Sequence, residues 1–168
     1  MNKTVKKVAA VALSALMVGS VFAGCSSNSG NSDKKSADKS SYTIGICQLT
    51  QHTALDSATK GFEDKLNELA KADGKTIKFD YQNASNDSAN CATSVNQFVS
   101  AGDDLILANA TPALQAAATA TAASKIPVVG TSVTDYGTAL DIKMNPTDAT
   151  GINVTGTSDL APLADQAQ

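Results

Sequence analysis

From residue 42 onward, apolar positions along the chain follow two alternating rhythms. Residues 42–47 are a short apolar run, which predicts a strand, and the polar run Gln48-Leu49-Thr50-Gln51-His52 ends it. Over residues 53–72, Leu55, Ala58, Phe62, Leu66 and Leu69 recur at steps of three and four, which places them on one face of a helix. Residues 75–81 alternate with period two and predict a second strand. A polar loop at 83–87 leads to a second helix over 88–101, with Ala92, Val95, Phe98 and Val99 on one side. Residues 104–108 predict a buried strand. Thr111 is then placed to cap an Ala-rich helix reaching residue 123, with Pro112 at its favoured first position. Residues 126–129 predict a fourth strand, and 140–144 and 153–157 predict two more short ones.

Strands alternating with helices specify the α/β class: an open, doubly wound parallel sheet with helices on both faces. The expected strand order begins 2-1-3-4. Right-handed crossovers then bring every strand C-terminus to one edge, the edge at which such sheets bind ligands. Four loops leave that edge, at 48–52, 83–87, 109–111 and 131–135. All are rich in hydroxyls, amides and small residues, a composition suited to neutral hydrogen bonding of a small polar molecule. Helix N-termini near His52 and Thr111 offer free N–H groups to an anion. The competing explanation for any single loop is ordinary capping and turn chemistry. Four such loops on one edge favour binding.

The pattern before residue 42 is different. Lys3, Lys6 and Lys7 precede an apolar stretch over 8–18, too short for a membrane span and of the right length for a secretory signal. Residues 1–24 are therefore expected to be a signal peptide. Phe22-Ala23-Gly24-Cys25 resembles the bacterial lipobox, with Phe22 where Leu is usual. That resemblance implies a diacylated Cys25, cleavage just before it, and an extracytoplasmic protein lipid-anchored to the cell membrane. Residues 25–41 are then the lipidated cysteine and a Ser/Asn/Lys tether too polar to fold. The globular part is expected over 42–159.

Charge narrows the partners. All 13 basic residues are lysine. Removing the three signal lysines leaves ten against 16 acidic residues, a formal charge of −6. An acidic chain without Arg is a poor nucleic-acid binder. It must also meet a ligand carboxylate with hydroxyls, N–H groups or Lys rather than a guanidinium fork.

No enzyme constellation emerges, and no cofactor is expected. His52 is the sole histidine. With Asp56 four residues on it makes at most half a metal site, so no metal is expected. Glycine-rich nucleotide loops and a nucleophile elbow are lacking. The expected strand order lets Cys47 and Cys91 approach each other. Two alternatives stand: a disulfide, or two small buried thiols.

The segment Ile44-Gly-Ile-Cys-Gln-Leu-Thr-Gln-His-Thr-Ala-Leu-Asp56, then Gly61-Phe62, resembles the start of the mature domain in a family of ABC-transporter substrate-binding lipoproteins that includes tryptophan- and tyrosine-binding proteins; Thr53 stands where that family has Pro. Ala108-Asn-Ala-Thr-Pro112, Ile126-Pro-Val-Val129, Thr131-Ser-Val-Thr-Asp135 and Gly151-Ile-Asn-Val-Thr-Gly-Thr-Ser-Asp159 resemble further blocks of it, so the likeness runs from about residue 42 to 163. It implies a type I periplasmic-binding-protein lobe, one half of a clamp that closes on a small molecule, aromatic amino acids above all, and docks on ABC permease subunits. The implied ligand contacts are Gln48, Thr50, His52, Asn109, Thr111, Ser132, Thr134 and Asp135, and the implied hinge is Thr155, Thr157, Ser158 and Asp159. Residues 160–168 would begin the crossover to a second lobe missing from this sequence. Two alternatives share the architecture: a ligand-sensing extracellular domain, and a sugar- or nucleoside-binding protein.

Overall fold

Nine elements follow one another in the computed structural model, which describes residues 39–145 and 148–160. The expectations for the signal peptide, Cys25, nearly all of the tether and all but the first residue of the 160–168 crossover lie outside the described residues. Strands β1 (Ser41–Gln48), β2 (Thr76–Asn83), β3 (Leu105–Asn109), β4 (Val128–Val133) and β5 (Val154–Ser158) pair in the order β2-β1-β3-β4-β5, every pair parallel. Helices α1 (Thr53–Ala72), α2 (Ser88–Ala101), α3 (Thr111–Thr121) and α4 (Tyr136–Leu140) fill the crossovers. The order begins 2-1-3-4, as the pattern requires. Among the described residues, no helix is long and apolar enough to cross a membrane.

Period-two alternation sends β-strand side chains to two different layers. Cys47, Ile106, Ala108, Val128 and Val154 pack with Cys91, Val95 and Phe98 of α2, Ala113, Leu114 and Ala117 of α3, and Tyr136 and Ala139 of α4. Phe98 is wholly buried there, which by area alone stabilises the fold by about 2–3 kcal/mol. Ile44, Ile46 and Leu107 point the other way, where Phe62 and Leu66 of α1 cover them.

Four local expectations are corrected. On α1, the buried stripe continues from Phe62 and Leu66 to Ala70 at steps of four, which leaves Leu69 on the flank, 49% exposed. On α2, Cys91 and Ser94 turn inward where Ala92 was expected. Thr111 is the first residue of α3, and its N-cap is Ala110, which has no side-chain acceptor to offer. The Ala110 N–H is held by the Thr131 carbonyl, and the helix begins one residue earlier than the Thr-Pro signal suggests. Residues 140–144 form no strand. Asp141 ends α4 in a left-handed conformation, and Leu140, the last residue of α4, covers the core together with Met144 from the loop beyond. The expected strand at 153–157 is present as β5.

Candidate functional site

Parallel register aligns the strand ends. Gln48 lies opposite both Asn83 and Asn109, Asn109 opposite Thr131, and Val133 opposite Ser158. All eight expected contact residues therefore belong to one edge, the C-terminal edge of the sheet. Strain collects at this edge as well. Ser85, Asn86, Ala110 and Ser132 all have positive φ without being glycine, and Ala110 at φ 97°, ψ 158° occupies a region close to glycine-only. Such backbone persists only where the surroundings hold it, and it concentrates at working sites.

The edge divides into two halves. In the β1/β3 half, Gln48 and Asn109 are fully buried. Gln48 donates through Nε2 to the Thr50 carbonyl at 2.8 Å and to Asp56 Oδ1 at 2.6 Å, and its Oε1 accepts from Thr59 Oγ1 at 2.7 Å. Asn109 donates through Nδ2 to the Leu55 carbonyl at 2.8 Å and to Thr59 Oγ1 at 2.9 Å. These amides fasten the start of α1 to the ends of β1 and β3. Both amides lie beneath the surface of the edge, and Asn109 Oδ1 has no partner among the described residues. Thr59, which sequence reasoning missed, is the centre of the network. Its place four residues after Leu55, within the inward stripe of α1, was the available signal.

Above this layer, Thr50 and Thr111 are half-buried and His52 is exposed. His52 caps α1 by accepting the Ala54 N–H on Nδ1 at 3.2 Å. Asp87 caps α2 and Asp135 caps α4 through their carboxylates. Among the described residues no side chain caps α3, and since Pro112 carries no N–H, the groups left at its start are the N–H groups of Thr111 and Ala113. The expected anion-binding helix ends thus differ: the one at His52 is filled by its own cap, and the one at Thr111 is open.

In the β4/β5 half, the β4–β5 register shifts between Gly130 and Val133, and Ser132 at φ 56° lies within the resulting bulge, half-buried. Thr134 and Asp135 beyond it are exposed. Asp135 accepts from Thr138 Oγ1 at 2.6 Å and from the Gly137 and Thr138 N–H groups. These bonds, the Thr138 hydroxyl first, hold its carboxyl below the usual carboxylate range, so it is ionised at neutral pH. A hollow of about 170 Å³ opens beside it, lined by Thr134, Asp135, Tyr136, Met144, Ser158 and others. Thr155, Thr157 and Ser158 lie in β5 with exposed side chains, and Asp159 follows.

Cys47 and Cys91 are free thiols, not a disulfide. Both are fully buried and within hydrogen-bonding reach of each other. Burial, then the neighbouring Cys91, pushes the Cys47 thiol up to about 12, which makes it a packing group and not a nucleophile.

Comparison with known proteins agrees with this geometry. Residues 43–168 match the family described as ABC transporter substrate binding protein. A tyrosine-binding protein of Clostridioides difficile (strain R20291) is 40% identical over 158 residues, covering 92% of this chain and 45% of that protein. The ligand-free, open structure of a substrate binding protein with adhesive properties from Clostridium difficile superposes with TM-score 0.64 at 39% identity, covering 73% of this chain and 40% of that one. An ABC domain in complex with L-Trp from Streptococcus pneumonia superposes with TM-score 0.62 at 36% identity, covering 71% and 39%. The chain thus spans less than half the length of these relatives.

Proposed function

The chain belongs to the ABC transporter substrate binding protein family, and from that premise we propose that it is the first lobe of an extracytoplasmic solute receptor for an ABC importer. In this reading Cys25 carries the lipid anchor, and a second lobe closes over the C-terminal edge by motion about Thr155, Thr157, Ser158 and Asp159. The loaded clamp then delivers its ligand to permease subunits.

The ligand class is an amino acid, aromatic by preference. Two relatives support this: one named for tyrosine, one holding L-Trp. The observation that carries the reading on this chain is the pairing of an uncapped helix N-terminus with an ionised carboxylate on one edge. The open N–H groups of α3, with Thr111, suit a carboxylate where the chain has no Arg. Asp135 suits an ammonium, and Thr50, His52, Ser132 and Thr134 supply neutral contacts. One lobe buries only part of a ligand, so tight binding belongs to the two-lobed protein.

Thermal denaturation of the full-length protein with L-tyrosine, L-tryptophan, L-leucine and glucose tests this. A ligand at a hundredfold its Kd adds about 2.7 kcal/mol, a rise of several degrees in Tm. The rise is expected with the aromatic amino acids and not with glucose. No rise with any amino acid contradicts the proposal.

A further inference from the structure

Residues 133–136, which carry two of the proposed contacts, are tied to residues 157–159, three of the proposed hinge positions. The Asp159 N–H donates to the Val133 carbonyl at 3.1 Å. Ser158 Oγ donates to the Thr134 carbonyl at 2.6 Å. The Tyr136 hydroxyl donates to the Thr157 carbonyl at 3.4 Å. The Tyr136 ring is almost completely buried, with its hydroxyl over Gly130 of β4 and Gly156 of β5, which lie opposite each other in the sheet. A Cβ on either glycine would collide with that hydroxyl, and one on Gly156 would also strike the Gly130 carbonyl. The two glycines therefore form a notch that admits the phenol. The bulge at Ser132 completes the arrangement, because the shifted register is what sets Val133 opposite Ser158.

We propose that Tyr136 and Ser158 form a strap that couples ligand at Thr134 and Asp135 to the hinge strand β5, making both of them positioning residues for closure. This rests on the reading of the edge as a ligand site and of 155–159 as a hinge. The chemistry is mechanical. Both side chains hold backbone carbonyls, so a movement of β5 pulls the Thr134–Asp135 loop, and a ligand that fixes the loop biases β5. Such coupling is reciprocal between the two sites.

The test is calorimetric titration of the full-length protein with L-tyrosine and L-tryptophan, alongside small-angle scattering with and without ligand. Tyr136→Phe keeps the ring in the notch and removes the Thr157 bond; Ser158→Ala removes the Thr134 bond together with the local bond that Ser158 Oγ accepts from the Leu160 N–H at 3.1 Å. Each single variant is expected to bind about two- to fivefold more weakly and the double variant about tenfold more weakly, with a smaller ligand-induced compaction. A double variant that binds within twofold of the parent and compacts equally overturns the strap, even if its Tm has fallen, because a purely structural tie would lower Tm alone. If Tyr136→Phe fails to fold, Ser158→Ala decides by the same criterion. A parent protein that binds neither amino acid overturns the underlying reading and the strap with it.

Discussion

The two halves of the C-terminal edge are built from the same residue types and behave differently. In the β1/β3 half, Gln48, Asn109 and Thr59 turn inward and bond to one another beneath the surface, with Asn109 Oδ1 left unpartnered among the described residues. In the β4/β5 half, Ser132 lies in a bulge, and Thr134 and Asp135 face outward, the Thr134 carbonyl accepting from the Ser158 hydroxyl and the Asp135 carboxylate capping the short helix α4. Hydroxyls and amides in a loop do not say whether they build a wall or line a site. What separates the cases is whether a helix packs over them. α1 lies against the ends of β1 and β3 and supplies Leu55 O, Asp56 and Thr59 as partners. Among the described residues no helix packs over Thr134 and Asp135.

The comparison breaks most visibly at Thr59. Thr59→Val keeps the shape and leaves Gln48 Oε1 and one Asn109 N–H unpaired in the interior. A loss of about 3 kcal/mol is expected, since each orphaned buried group costs about 1–3 kcal/mol. Urea denaturation measures it, and a loss below about 1 kcal/mol would mean that the network is not the wall described above. At Ala110, between the two halves, the expected sign is opposite. Ala110→Gly relieves backbone strain of about 1–3 kcal/mol and adds unfolded-chain entropy of about 0.5–1, so stability should rise by about 1 kcal/mol. Ligand affinity should fall in the same variant, because the start of α3 is no longer held in place.

The opposite edge of the sheet supplies the control and the smallest effect. Asp103 is buried, with Oδ2 unpaired among the described residues. Burial first, then the charges of Asp80 and Asp104, raises its carboxyl above the usual range, against a smaller opposing effect from Lys78. The folded state holds this proton more tightly than the unfolded one, so its stabilising contribution is present below the unfolded pKa and is lost as pH rises through the folded one. Asp103→Asn should therefore be more stable than the parent at pH 7, by under about 1 kcal/mol, with the gap closing toward pH 4. Thermal melts across that range check it, and ligand affinity should not move.

Much of this architecture was legible because it is written in short-range periodicity. The three- and four-residue steps of Leu55, Ala58, Phe62 and Leu66 located α1, and alternating strand and helix fixed the crossover topology that aligns the strand ends. What was not legible depends on partners distant in sequence. Asn109 finds Thr59 fifty residues away, which ties its Nδ2 to α1. The bulge at Ser132 and the Tyr136 notch need β5 beside β4. Residues 140–144 have enough apolar character for a strand, yet Asp141 turns the chain and Leu140 and Met144 serve as cover. Cys47 and Cys91 approach as the topology allowed, and the choice between thiols and disulfide fell to the former.

The central claim is that ligand is held by the β4/β5 half and the start of α3, while the β1/β3 half is the wall behind it. Amide NMR titration of the full-length protein with L-tyrosine tests this most directly. The largest shift changes are expected at Thr111, Ser132, Thr134 and Asp135, with the side-chain amides of Gln48 and Asn109 nearly still. Changes centred on Gly102, Asp103 and Lys125 at the opposite edge, or none at all, would contradict it.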